Sequence, residues 1–216
     1  MTIRLCSDMN YISSPIKVAV IGHSYVRRLE QFSQFRGKNL GFTINSIKVE
    51  FLGLGGASLE LRGSKCACQL LDGLRDFVPT VVLIYLGEND VCRTTPSQII
   101  SFLWFIQSVR VVIVCDLLSF TALVKNWLHQ EYIDAVNNAL STFDDDCIDV
   151  DIIYCWKHRI GVWHPEATTR IFHQDGVHST MLGMQRYWKS VRTAVGKAVQ
   201  KVTRHIWMAH CTYISL

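Results

Sequence analysis

Three residues of this 216-residue chain have the types and spacing of a nucleophilic triad. Ser24 is the last residue of the segment 22–24 (GHS). Asp175 and His178 are the first and last residues of the segment 175–178 (DGVH). A serine hydroxyl becomes a nucleophile only when a neighbouring base removes its proton. His178 can be that base, and Asp175 can hold the imidazole in the productive tautomer and stabilise the imidazolium. These residues therefore predict attack of Ser24 on a carbonyl carbon.

Two further segments supply the donors that such an attack needs. Attack on an ester creates an oxyanion, which preorganised N–H groups stabilise. The segment 53–58 (GLGGAS) offers the backbone N–H of Gly56, where the missing side chain lets a ligand approach closely. The segment 87–90 (GEND) offers the side-chain amide of Asn89. Together with the backbone N–H of Ser24, these groups predict an oxyanion hole.

The elements that must position these segments alternate along the chain. Short β-rich runs stand at 16–21, 42–52, 80–86, 110–115 and 151–155, and helical stretches at 25–35, 59–77, 96–107, 130–143 and 180–202. This alternation predicts the α/β class, as a three-layer α/β/α sandwich around a five-stranded parallel sheet. Ligands of such sheets bind beyond the carboxyl ends of the strands. Since all four segments follow strands, we expect them at one edge.

The ordered set of residues resembles a known family. Ser24, Gly56, Asn89 and His178 match the signature of the SGNH hydrolases, also called GDSL-type esterases, and Asp175 matches the aspartate of their D-x-x-H motif. The resemblance covers about residues 16–200, and residues 153–195 are also similar to SGNH domains of animal retroelement-related proteins. It implies a flavodoxin-like SGNH fold and cleavage of a carboxylic ester through an acyl-enzyme. The substrate would be a small-molecule, lipid or carbohydrate ester, and no cofactor is implied.

One position departs from the family pattern. The first block of the family usually reads Gly-Asp-Ser, whereas this chain has His23 in place of the aspartate. The nucleophile is retained, but different hydrogen bonds must shape its turn. The sequence therefore leaves an alternative function open, which is an SGNH-like binding or assembly module of a retroelement-derived protein with little or no turnover.

Other chemistries fit the motifs less well. The glycine-rich segment 53–58 has Ser58 where a dinucleotide-binding fingerprint needs glycine or alanine, and no phosphate-binding P-loop motif occurs. The chain also lacks the G-x-S-x-G elbow of α/β-hydrolases. His173 could join Asp175 and His178 in a metal site, but the triad accounts for the latter two without a metal. Trp163 belongs either to a packed surface loop or to a wall of the substrate pocket.

Charge, hydropathy and cysteine placement argue against several classes of protein. The net charge is +4, and the basic residues are scattered rather than clustered, which argues against nucleic-acid binding as the main role. No run of 18 apolar residues predicts a membrane span, and residues 1–20 lack a signal-peptide pattern. Cys115 and Cys155 lie in apolar runs, where a free cysteine acts as a small hydrophobe. We expect a reduced, cytoplasmic domain over residues 16–202, with accessory segments at 1–15 and 203–216.

Overall fold

The structure, a computed structural model, describes residues 14–59, 65–90, 95, 111–115, 131–132, 134–136, 138, 152–156, 171–174 and 178–213. Its strands are β1 (Ile16–Gly22), β2 (Ile47–Gly53), β3 (Val81–Tyr85), β4 (Val111–Cys115) and β5 (Ile152–Trp156). Its helices are α1 (Ser24–Arg36), α2 (Gln69–Phe77) and α3 (Met181–Tyr213), with short 3₁₀ turns at Lys38–Gly41 and Glu88–Asp90. This alternation confirms the predicted α/β class.

The strands pair in parallel in the order β2-β1-β3-β4-β5. The nearly continuous apolar run of β1 fits its place between two neighbours, where both faces are covered. The last residue of β1, Gly22, stands opposite Gly53 of β2 and Tyr85 of β3. β2 lies on one side of β1 and β3 lies on the other, so the chain passes outward from β1 to β2 and then crosses back over β1 to β3. This reversal creates a switch point at the carboxyl end of β1, where sheets of this kind bind ligands.

Side chains alternate between the two faces of the sheet because successive strand residues point in opposite directions. Val18 and Val20 belong to a core that includes α1 and α3, whereas Ala19 and Ile21 pack in a second core with α2. All four are fully buried. Burial of each valine or isoleucine side chain contributes about 1.5–3 kcal/mol, so β1 is a rigid support for the turn that follows it.

Two predicted helix boundaries are wrong. The predicted helix over 59–77 begins only at Gln69, because Ser58 forms a parallel bridge to Cys66 and residues 65–68 form turns. Ala67 donates to the carbonyl of Ser58 at 2.8 Å, which holds this segment against the glycine-rich turn. The last helix, predicted to end at 202, continues to Tyr213.

The other predicted helices are described only in part. Residues 131–132, 134–136 and 138 are helical, within the helix predicted at 130–143. The helix predicted at 96–107 lies outside the described residues. Within the described part of the chain, none of the helices has an apolar stretch long enough to cross a bilayer.

Candidate active site

Ser24 stands at the carboxyl edge of the sheet because only His23 separates the end of β1 from the start of α1. The His23 side chain caps the helix, with Nδ1 accepting a hydrogen bond from the backbone N–H of Tyr25 at 3.5 Å. The backbone N–H of His23 donates to the carbonyl of Tyr85 at 3.4 Å, which ties the turn to β3. Although His23 replaces the aspartate of the Gly-Asp-Ser pattern, the turn is still capped, and an imidazole nitrogen accepts the capping hydrogen bond.

The backbone N–H of Ser24 lies in the first turn of α1, where a helix provides no acceptor of its own. Ser24 is half-buried, and His23 beside it is buried. A serine at this position can present both its hydroxyl and its N–H to a substrate.

The glycine-rich turn after β2 packs directly against the start of α1. A β-carbon at Gly53 would overlap the backbone of Arg27, and Leu54 donates to the carbonyl of Gly22 at 2.9 Å. Gly56 has a φ of +75°, a conformation that favours glycine. Gly56 is exposed, so its backbone is accessible at this edge.

Asn89 and Asp90 hold this turn from the side of β3. The Asn89 amide Nδ2 donates to the carbonyl of Ala57 at 2.8 Å, and the Asp90 carboxylate accepts from the backbone N–H of Leu59 at 2.8 Å. An amide nitrogen carries two protons, so the bond to Ala57 leaves one proton for a substrate oxygen. The structure therefore brings together the predicted oxyanion donors Gly56 and Asn89. Sequence reasoning treated Asp90 only as part of a turn, although it is fully buried and anchors the glycine-rich turn.

His178 stands at the end of a loop whose base is closed by backbone pairing. Phe172 forms an antiparallel bridge to Ser179, and His173 donates to the carbonyl of His178 at 2.7 Å. Thr180 donates to the carbonyl of Ile171 at 2.7 Å, so both ends of the loop are fixed at the start of α3. His178 is half-buried. Residues 175–177 lie outside the described residues, and the role of Asp175 stays a prediction.

A buried hydrogen bond joins the loop of His178 to the helix of Ser24. The Ser179 hydroxyl donates to the hydroxyl of Tyr25 at 2.9 Å, and the exposed fractions of the two residues are 7% and 1%. Tyr25 directly follows Ser24, and Ser179 directly follows His178. The bond therefore connects the immediate neighbours of the predicted nucleophile and the predicted base.

An aromatic cluster surrounds this bond. The rings of His23, Tyr25, Tyr85 and Tyr187 have centroids 5.0–5.9 Å apart in tilted or edge-on pairs. Aromatic pairs in such arrangements contribute about 0.5–1.5 kcal/mol each beyond the area they bury. The cluster packs the turn after β1 and the start of α1 against β3 and α3. The sequence analysis did not single out Tyr25, although its position directly after Ser24 could have indicated a role in the site.

Two cysteines lie close to the glycine-rich turn. The Cys66 sulfur accepts from the backbone N–H of Cys68 at 3.2 Å. A hydrogen bond with the Cys66 side chain raises the pKa of the Cys68 thiol above its ordinary value, and burial raises it further. Both cysteines are free thiols.

The metal-site alternative has no support within the described part of the chain. Among those residues, no three His, Cys, Asp or Glu side chains lie close enough to hold a metal ion. His173 is exposed. Trp163 lies outside the described residues.

Several solved structures share this architecture. A lipase/acylhydrolase from Enterococcus faecalis is 13% identical with a TM-score of 0.58, covering 83% of this chain and 94% of its own. LAE5, an alpha/beta hydrolase enzyme from the metagenome of Lake Arreo, is 14% identical with a TM-score of 0.58, covering 85% and 96%. A protein described as a GDSL-like lipase from Bacteroides ovatus is 18% identical with a TM-score of 0.57, covering 87% of this chain and 55% of its own.

At these identities the likeness establishes the fold. This chain therefore has the α/β fold of acylhydrolases and GDSL-like lipases. No protein-family profile matches the chain, and no curated protein matches it in sequence.

Proposed function

We propose that the protein is a serine hydrolase that cleaves a carboxylic ester through an acyl-enzyme on Ser24. The observation that carries this proposal is the buried bond between Tyr25 and Ser179, because it joins the turn bearing Ser24 to the loop bearing His178. The fold shared with acylhydrolases supports the same reaction class. So does the contact between the Asn89 amide and the glycine-rich turn.

In the first half of the reaction, His178 takes the proton from the Ser24 hydroxyl as the oxygen attacks the ester carbonyl. Asp175 orients the imidazole and stabilises its charged form. The carbonyl oxygen becomes an oxyanion and accepts from the N–H of Ser24, the N–H of Gly56 and the Asn89 amide. Collapse of this intermediate breaks the bond to the alcohol, which leaves with the proton from His178.

In the second half, His178 removes a proton from water, and the hydroxyl oxygen attacks the acyl carbon. The second oxyanion collapses, the acid leaves, and His178 returns the proton to Ser24. The chemistry needs no cofactor. We propose that it takes place in a five-stranded SGNH domain that begins at residue 16 and includes α3, acting on a small-molecule, lipid or carbohydrate ester.

A fluorophosphonate probe tests this function directly. Such a probe loses fluoride and forms a phosphonate ester with an activated serine, so we expect stoichiometric labelling at Ser24 in the wild type. Ser24→Ala should abolish both labelling and ester hydrolysis while remaining folded. Ser33→Ala is the matched control, because Ser33 is a buried serine of the same helix about 13 Å further along its axis.

The rival function gives a different result. A binding or assembly module of a retroelement-derived protein would be folded, unlabelled and inactive towards esters. Wild-type turnover by Ser24→Ala would likewise contradict the proposed mechanism. The capping bond of His23 favours the enzyme, since the substituted residue still shapes the turn of the nucleophile.

A further inference from the structure

Two cationic side chains lie over the glycine-rich turn of the site. The guanidinium group of Arg27 lies 3.5–3.8 Å from the point where a β-carbon of Gly55 would stand. The side chain of Lys65 lies equally close to Gly56, with Nζ 3.4 Å from the corresponding point. Both residues are exposed, and their charged ends lie beside the turn that carries a predicted oxyanion donor.

Arg27 also belongs to the same helix face as Ser24. Residues three apart on a helix are neighbours, with β-carbons about 5–6 Å apart. The backbone of Arg27 packs against Gly53 of β2. One cation thus lies about one helical turn from the predicted nucleophile and beside the glycine-rich turn.

Among the side chains that the structure describes, no carboxylate forms an ion pair with Arg27 or Lys65, whereas Asp72 pairs with Arg75 on α2. Asp90, which is bound to the turn through Leu59, is fully buried and faces inward. Two positive charges beside the same turn attract an anionic group.

We propose, on the basis of the ester hydrolysis proposed above, that the substrate carries a carboxylate or phosphate next to the scissile ester. Arg27 and Lys65 bind this anionic group. A guanidinium binds planar carboxylate or phosphate oxygens through two parallel hydrogen bonds, and lysine adds a point charge. A neutral ester gives these side chains no comparable partner.

Matched pairs of esters test this inference. For an anion on the alcohol side, the pair is para-acetoxybenzoate and its neutral methyl ester, with para-acetoxyphenyl phosphate as the phosphate counterpart. For an anion on the acyl side, the pair is the para-nitrophenyl monoester of adipate and para-nitrophenyl hexanoate. We expect a higher kcat/KM for the anionic member of at least one pair. Added salt should reduce the preference, because it screens exposed charges.

Arg27→Gln and Lys65→Gln should each reduce the anionic-to-neutral ratio of kcat/KM by about 2–5-fold, the range expected from exposed charge pairs. Lys38→Gln is the control, since Lys38 is an exposed cation beyond the opposite end of α1, about 20 Å from Ser24. It should leave the ratio unchanged, and melting temperatures confirm that all three variants are folded.

Two results would overturn the inference alone. One is a wild type that cleaves anionic and neutral esters equally well. The other is an equal loss on both esters in Arg27→Gln and Lys65→Gln, which would mean that the cations stabilise the reaction's own oxyanion. Absence of turnover on every ester would instead contradict the proposed function, and the inference with it.

Discussion

The length and burial of the hydrogen bond between Tyr25 and Ser179 predict how much stability the protein loses when this bond is removed. It is 2.9 Å long and almost completely buried. A buried hydrogen bond contributes about 0.5–1.5 kcal/mol net. Ser179→Ala should therefore lower the free energy of unfolding by about 0.5–1.5 kcal/mol, and each kcal/mol lowers the melting temperature by about 2–4 °C.

A double-mutant cycle that combines Ser179→Ala with Tyr25→Phe measures the interaction free energy between the two side chains. Tyr25 has further contacts besides this bond, so its single variant alone does not isolate the pair. The two changes together should cost less than their sum, with a coupling energy of about 0.5–1.5 kcal/mol. Ser33→Ala is a control for loss of a buried hydroxyl, because no described atom hydrogen-bonds to the Ser33 hydroxyl.

Measurements of kcat and KM distinguish a role of this hydrogen bond in positioning His178 from a role in stability alone. A displacement of about 1 Å between reacting groups can reduce the rate by about 100-fold. We expect Ser179→Ala to lower kcat by about 10–100-fold with little change in KM, measured well below the melting temperature. Normal kcat in a destabilised Ser179→Ala would show that the bond supports the fold without positioning His178. A coupling energy of zero would refute the bond itself.

Three other variants test the site. Asn89→Ala should reduce kcat by about 10²–10³ with a smaller effect on KM, because an oxyanion donor acts mainly in the transition state; a change in KM alone would contradict this role. Asp175→Asn should reduce kcat by about 10⁴ at an unchanged melting temperature, and near-normal rates would exclude Asp175 from the triad. Cys66→Ala removes the main cause of the raised pKa of Cys68, so more thiolate forms at a given pH. Iodoacetamide should then alkylate Cys68 faster near pH 8, as peptide mass spectrometry would show, and an unchanged rate would contradict that cause.

Local patterns in the sequence were sufficient to predict the strands and the edge of the site. The apolar runs of β1 and β3 indicate buried strands, and a serine two residues after Gly22 must then lie at the carboxyl edge. The start of α2 was not predictable in this way, because the bridge between Ser58 and Cys66 is a contact across a loop.

The remaining differences have two other causes. Elongating an existing helix is easier than starting one, so α3 continues to Tyr213 through residues whose pattern is weak. The bond between Tyr25 and Ser179 spans 154 positions and leaves no trace in local spacing. It depends on the docking of α3, which only the tertiary structure reveals.

The placement of α3 has a consequence for the order in which the site is completed during synthesis. The ribosome makes Ser24 before His178 and the helix that anchors its loop, which follow more than 150 residues later. Until α3 emerges, Val18, Val20 and Leu83 lack the cover that Tyr187 and its neighbours give them. The nascent chain therefore carries the proposed nucleophile without its proposed base, and an apolar sheet face that is still uncovered. Completion of the proposed site and burial of this face both wait for the same helix.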